Sequence, residues 1–95
     1  MRQPHSARFT WSEARVRQGL WSAKSRIVPS WFDRATEDGW SLVCDFDVPP
    51  AEQGNPSMGQ VSFWVDAAPH ERLISGARLQ LFDESGELST VEVLD

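Results

Sequence analysis

The chain predicts an all-β fold, a small antiparallel barrel or sandwich, on three observations. Apolar and polar residues alternate with a period of two through four separate stretches, turn residues fall where those stretches end, and no segment keeps helical periodicity beyond a turn or two. Ninety-five residues with 40% hydrophobic and 24% charged side chains fit a single folded domain, residues 1–95. So short a chain buries only about two-thirds of its unfolded surface. Its core must therefore come from a few large side chains, and five Trp and five Phe meet that need.

Taken in order, residues 1–6 read as a flexible N-terminal arm. Residues 7–11 and 14–18 read as a pair of weaker strands, and residues 26–32 as a strand interrupted by Pro29, a placement that suits an edge, a bulge or a strand end. Asp38-Gly39 marks a turn, after which Trp40, Leu42, Cys44 and Phe46 share one face and Ser41, Asp45 and Asp47 the other. Residues 48–58 hold three of the six prolines and no periodicity, and read as the one long loop. Val61, Phe63 and Val65 then point one way. Residues 68–73 carry the only other helical tendency, limited to a turn or two by Pro69 and Gly76. Leu79 and Leu81 alternate, Glu84-Ser-Gly-Glu87 makes a hairpin turn, and Val91 and Val93 end the pattern. Closure into a barrel removes the exposed strand edges such a chain would otherwise carry.

Three stretches together, Met58-Gly-Gln-Val-Ser-Phe-Trp-Val-Asp66, Leu73-Ile-Ser-Gly-Ala-Arg-Leu-Gln-Leu-Phe-Asp-Glu-Ser-Gly86 and Val91-Glu-Val-Leu94, resemble the third, C-terminal domain of elongation factor Tu. That family runs from a PGD turn through an alternating strand and a GxRFxIREGG segment to a valine-rich last strand. Arg26-Ile-Val-Pro-Ser-Trp-Phe32 stands where the family has GYRPxF. The resemblance spans about residues 7–94 and implies a six-stranded antiparallel β-barrel. It also implies contact with transfer RNA and with protein partners. No G-x-x-x-x-G-K-[ST] phosphate loop is present. Val28 rather than arginine precedes Pro29, and Asp83-Glu-Ser-Gly86 replaces the family's REGG. The fold carries over and no functional residue does.

The net charge of −5 argues against a general nucleic-acid binder. The charge is uneven. Residues 1–34 hold Arg2, Arg8, Arg15, Arg17, Lys24, Arg26 and Arg34 against Glu13 and Asp33, a net of +5, while residues 35–95 carry −10. Strands from the two halves pairing side by side would oppose these charges across the outer face. No apolar run approaches the roughly 20 residues that span a bilayer, and the opening residues lack the apolar core of a secretory signal. A single cysteine, Cys44, forms no internal disulfide, so a reducing, cytoplasmic setting is expected.

Cys44 faces inward by parity, which makes it an inert core thiol. The two histidines, His5 and His70, lie at no ligand spacing with the scattered acids, so neither a metal nor a cofactor is expected. Asp45 and Asp47 read as solvated acids. Trp64, Phe82 and Leu94 fall on the parity opposite the core residues and would gather outside the barrel if the last strands adjoin. The leading expectation is therefore a non-enzymatic protein-binding module, a small bacterial accessory protein among the options, whose partner is another protein or a second copy. Its contacts would be Trp64, Phe82 and Leu94 with Pro49, Pro50 and Met58 of the long loop. The alternative is RNA binding through Arg8, Arg15, Arg17, Lys24, Arg26 and Arg34, with Trp21 and Trp31 as stacking faces. A third reading, a small ligand-binding or hydrolytic barrel, requires a polar cavity.

Overall fold

A computed structural model describes residues 3–95. Six strands, β1 (His5–Trp11), β2 (Ser25–Trp31), β3 (Trp40–Asp45), β4 (Ser57–Phe63), β5 (Arg78–Asp83) and β6 (Gly86–Val93), close into a barrel in the order β1-β4-β3-β2-β5-β6. Every neighbouring pair is antiparallel. Of the antiparallel barrel or sandwich that the alternation predicts, the chain forms the barrel, with six strands.

Period-two alternation fills the interior. Ala7, Phe9 and Trp11 enter from β1, Val28 from β2, Leu42 and Cys44 from β3, Val61 and Phe63 from β4, Leu79 and Leu81 from β5, and Leu88, Val91 and Val93 from β6. Burying each large side chain contributes about 1.5–3 kcal/mol. Aromatic rings close both ends. At one end Trp11 stacks on Phe9 and meets the edge of Trp21, which in turn packs on Phe46. At the other, Phe63 packs edge-on against Phe32 and His70, beside buried Ala68 and Leu73. The three buried serines are satisfied: Ser30 Oγ donates to the Trp40 carbonyl at 2.8 Å, Ser57 Oγ to Gly54 at 2.6 Å and Ser89 Oγ to Thr10 at 3.1 Å.

The structure departs from the sequence expectations in four places. Residues 14–18 are not a strand but part of a helix, α1 (Glu13–Gln18). Ser12 caps it by accepting from the Arg15 N–H at 3.1 Å, and Gly19, at φ +103°, ends it in a conformation other residues rarely adopt. Residues 48–58 are not one loop. They contain a short helix, α2 (Pro50–Gln53), and the start of β4. Gln53 ties this segment down, donating to the Val48 carbonyl at 2.6 Å and accepting from the Met58 N–H at 2.7 Å. The proposed arm is partly a strand, because His5 and Ser6 pair with Val61 and Gln60; residues 1 and 2 lie outside the described residues. Finally, β4 stops at Phe63, so Val65 leaves the alternation and is exposed. The helical tendency of 68–73 is met by one 3₁₀ turn, His70–Arg72.

Close packing makes two positions sensitive. Phe63 is fully buried at one end of the barrel, and Phe63→Ala is expected to cost about 3–5 kcal/mol in chemical denaturation. A Cβ on Gly59 would sit 2.6 Å from the Asp45 carbonyl oxygen and from the Phe46 ring. Gly59→Ala should therefore destabilise by about 1–3 kcal/mol in the same measurement, whereas Gly→Ala is ordinarily mild in a strand.

Candidate functional site

Strand order decides what the outer wall presents. On β1, on β6 and on β5 up to Gln80 the outward residues are polar, and Phe82 ends the β5 row. Arg8 stands opposite Glu92, which stands opposite Arg78, and Thr10, Thr90 and Gln80 form the next row. Arg8 and Glu92 make a direct ion pair, so a cation of the basic third does meet an acid of the acidic remainder across the wall. On β2 and β3 the outward residues are mixed, with Ile27, Pro29 and Val43 apolar beside Ser25, Ser41 and Asp45. Ile27 pairs with Val43 and Pro29 with Ser41, and the Trp64 N–H donates to the Ser41 carbonyl at 2.9 Å, which brings Trp64 beside the same row. Ile27 and Trp64 are each 49% exposed. The pairing of Ser30 with Leu81 sets Phe82 at the level of Pro29. The barrel thus has one charged wall and, on β2 and β3, a wall with an apolar patch bordered by Ser25, Ser41 and Asp45.

The expected contact residues do not form one cluster. β5 and β6 adjoin, but β1 lies between β4 and β6, and β3 and β2 lie between β4 and β5. Trp64 belongs to the apolar patch. Phe82 reaches its margin but is partly covered, with Trp31 edge-on at 5.6 Å and the Arg34 guanidinium 4.1 Å from its ring centroid. Leu94 is 37% exposed beyond the end of β6, where its N–H donates to the Ser6 carbonyl. Met58 is 46% exposed on β4, opposite Arg8. Pro49 and Pro50 are buried at the start of α2 and offer no contact surface. Ile27 and Val43 were missed as surface residues, although Ile27, Pro29 and Trp31 share one parity, and so do Ser41 and Val43.

The basic residues are dispersed. Arg8 is paired with Glu92, and Arg17 lies 4.0 Å from Glu13 within α1. Arg34 spreads over Trp31 and Phe82. Trp31 itself is wedged against Gly39, where a Cβ would lie 2.6 Å from the indole. Trp21 is only 5% exposed, with the Arg26 guanidinium 4.9 Å above it, so its faces serve the core rather than a base. Lys24 lines a groove of about 610 Å³ with Asp45, Asp47 and Glu52 at one end of the barrel.

Cys44 is fully buried on β3, and burial, reinforced by neighbouring Asp45, pushes its thiol pKa far up. His5 lies 3.5 Å from Asp95, and His70 Nε2 lies 3.0 Å from the Val65 carbonyl; both line a shallow groove with Glu71. Among the described residues no three His, Cys, Asp or Glu side chains converge as a metal set. No helix among them is long and apolar enough to cross a membrane.

The architecture is a small closed β-barrel with an apolar patch on the outer wall of β2 and β3. No family model, curated protein or solved structure matches the chain. The environment of Cys44 yields a direct test. At pH 8, a thiol-reactive disulfide reagent should modify native protein at least about a hundredfold more slowly than denatured protein, because only the thiolate attacks.

Proposed function

We propose that the chain is a non-enzymatic protein-binding module acting through the outer wall of β2 and β3. The observation that carries this reading is the contiguous row of Ile27, Pro29 and Val43, extended by Trp64 and bounded by Trp31 and Phe82. A sheet face in water is ordinarily polar on one side, and contiguous apolar surface on a small soluble domain marks an interaction site. Trp and its neighbours also provide the rigid anchors that dominate binding energy. A reducing, cytoplasmic setting fits a domain whose single thiol is free and buried. RNA binding, the role implied by resemblance to the elongation factor barrel, has weaker support, because Arg8 and Arg17 face acids and Trp21 is buried.

A photo-crosslinking amino acid placed at Val43 tests the reading in the native cell. Crosslinks to protein are expected from position 43 and not from position 90 on the charged wall. A second substitution, Ile27→Asp, should reduce their yield at least about tenfold while leaving the circular dichroism spectrum unchanged. Crosslinks to RNA, or equal crosslinking from both walls, would overturn it.

A further inference from the structure

We propose that β2 takes up an extended acidic segment of a partner protein as an added strand along Ser25–Ile27. This rests on the reading of the β2–β3 wall as a binding surface, and names what binds at its edge. The seam between β2 and β5 carries the inference. β2 pairs with β3 through six residues, Ser25 to Ser30, but with β5 only through Ser30 and Trp31. Two bonds fix which way each residue of β2 turns its backbone. The Lys24 carbonyl accepts from the Phe46 N–H at 2.7 Å, and the Ser41 carbonyl, opposite Pro29, accepts from Trp64 on β4 rather than facing β2. Even-numbered residues of β2 therefore bond to β3, and Ser25, Ile27 and Pro29 turn toward the seam. On that side β5 ends at Asp83, level with Val28, and the hairpin turns back into β6.

Ser25 and Ile27 consequently turn two N–H donors and two C=O acceptors to the seam beyond the last β2–β5 pair, where no turn or loop of the described residues bonds to them. Such a row templates the addition of another strand. Pro29 places its missing N–H on the same side, at the point where the ladder with β5 stops.

Charge selects the occupant. Lys24 and Arg26 are exposed along this edge, and neither has an ion-pair partner among the described residues. Asp45, opposite Ser25, lies by parity on the other face of the sheet, but with Asp47 and Glu52 it lines the groove that Lys24 also lines, which leaves Arg26 as the principal cation of this edge. A second copy is a poor occupant. Antiparallel pairing of this edge with itself about Arg26 sets Arg26 against Arg26 with Lys24 on the diagonal, and like charges directly opposite are destabilising. A strand alternating acidic and apolar residues instead places carboxylates against these cations and an apolar side chain beside Ile27.

Fluorescence anisotropy on the full chain tests this with three labelled probes: a six-residue peptide alternating Glu and Val, its Lys–Val counterpart, and a single-stranded RNA oligonucleotide. The Glu–Val peptide is expected to bind at least about tenfold more tightly than the Lys–Val peptide and to weaken with added salt. Amide hydrogen exchange should show Ser25 and Ile27 exchanging fast in the free protein and slowing on binding. Ile27→Pro, which removes a seam-facing N–H and spares every bond to β3, should weaken binding at least about tenfold. The pair Lys24→Glu and Arg26→Glu should reverse the preference between peptides, a readout independent of the proline variant's folding. Equal affinity for the two peptides, unchanged exchange at Ile27, binding of RNA alone, or self-association through this edge would overturn the proposal. Loss of strand addition with intact crosslinking from Val43 would remove this inference and leave the binding wall standing.

Discussion

Closure of six short strands around a very small interior is the constraint on which the rest depends. A barrel of this size has no room for a separate hydrophobic layer, so each inward side chain must meet others from across the barrel, and the two open ends must be plugged. Aromatic rings meet both requirements. Trp11 shows how tightly they are held: its Nε1 donates to Ser57 at 2.8 Å, and its backbone N–H donates to the Asn55 side chain at 2.9 Å. Ser57 passes the connection on to the Gly54 carbonyl, so the plug, α2 and the first residue of β4 form one hydrogen-bonded unit. Buried polar atoms in this unit are satisfied, which is what allows Trp to occupy a core position at all.

That arrangement dictates the character of the surface. Inward positions must be apolar or, like Ser30, Ser57 and Ser89, hydrogen-bonded, but the outward positions are free to differ between strands. On β1, β5 and β6 they hold Arg8, Arg78, Glu92, Thr10, Thr90 and Gln80, whose charges oppose one another across the ladder. On β2 and β3 they hold Ile27, Pro29 and Val43 as an apolar patch among Ser25, Ser41 and Asp45. Folding does not require the second choice, because the core is complete without those side chains. The asymmetry between walls is thus a property of the surface, and it supports interaction rather than stability as the use of the β2–β3 face.

The parity of Leu42 and Cys44, of Leu79 and Leu81 and of Val91 and Val93 was legible because a strand buried on one face has to alternate. The helix α1 was not, because Ala-Arg-Val-Arg-Gln also alternates over five residues. Its signals were Ser12 before Glu13 and Gly19 behind Gln18, a cap at each end of a segment too short to show a period of 3.6. Pro49 and Pro50 were misplaced for a related reason: a proline pair reads as loop, yet proline at the first helical position is favourable, and α2 begins there. The surface cluster was legible in direction and not in neighbourhood. Parity states that Trp64 and Phe82 leave the core, but only strand order shows that two strands separate them, and strand order comes from long-range pairing that no local pattern encodes.

The incomplete seam follows from the same local chemistry. Pro29 has no N–H to give, and the backbone geometry of β2 directs that deficit toward β5, so the ladder between them ends within two residues. An exposed strand edge is a hazard to a small barrel, since copies of the chain would pair along it. Lys24 and Arg26 answer the hazard by making self-pairing repulsive, and cations are a common guard on such edges. The guard is not neutral in its consequences. A cation that repels an identical edge attracts a carboxylate-bearing one, and it does so in a chain whose other two-thirds is acidic and turns anions away. The features that keep this edge from closing on itself therefore also define the chemistry of the strand it admits.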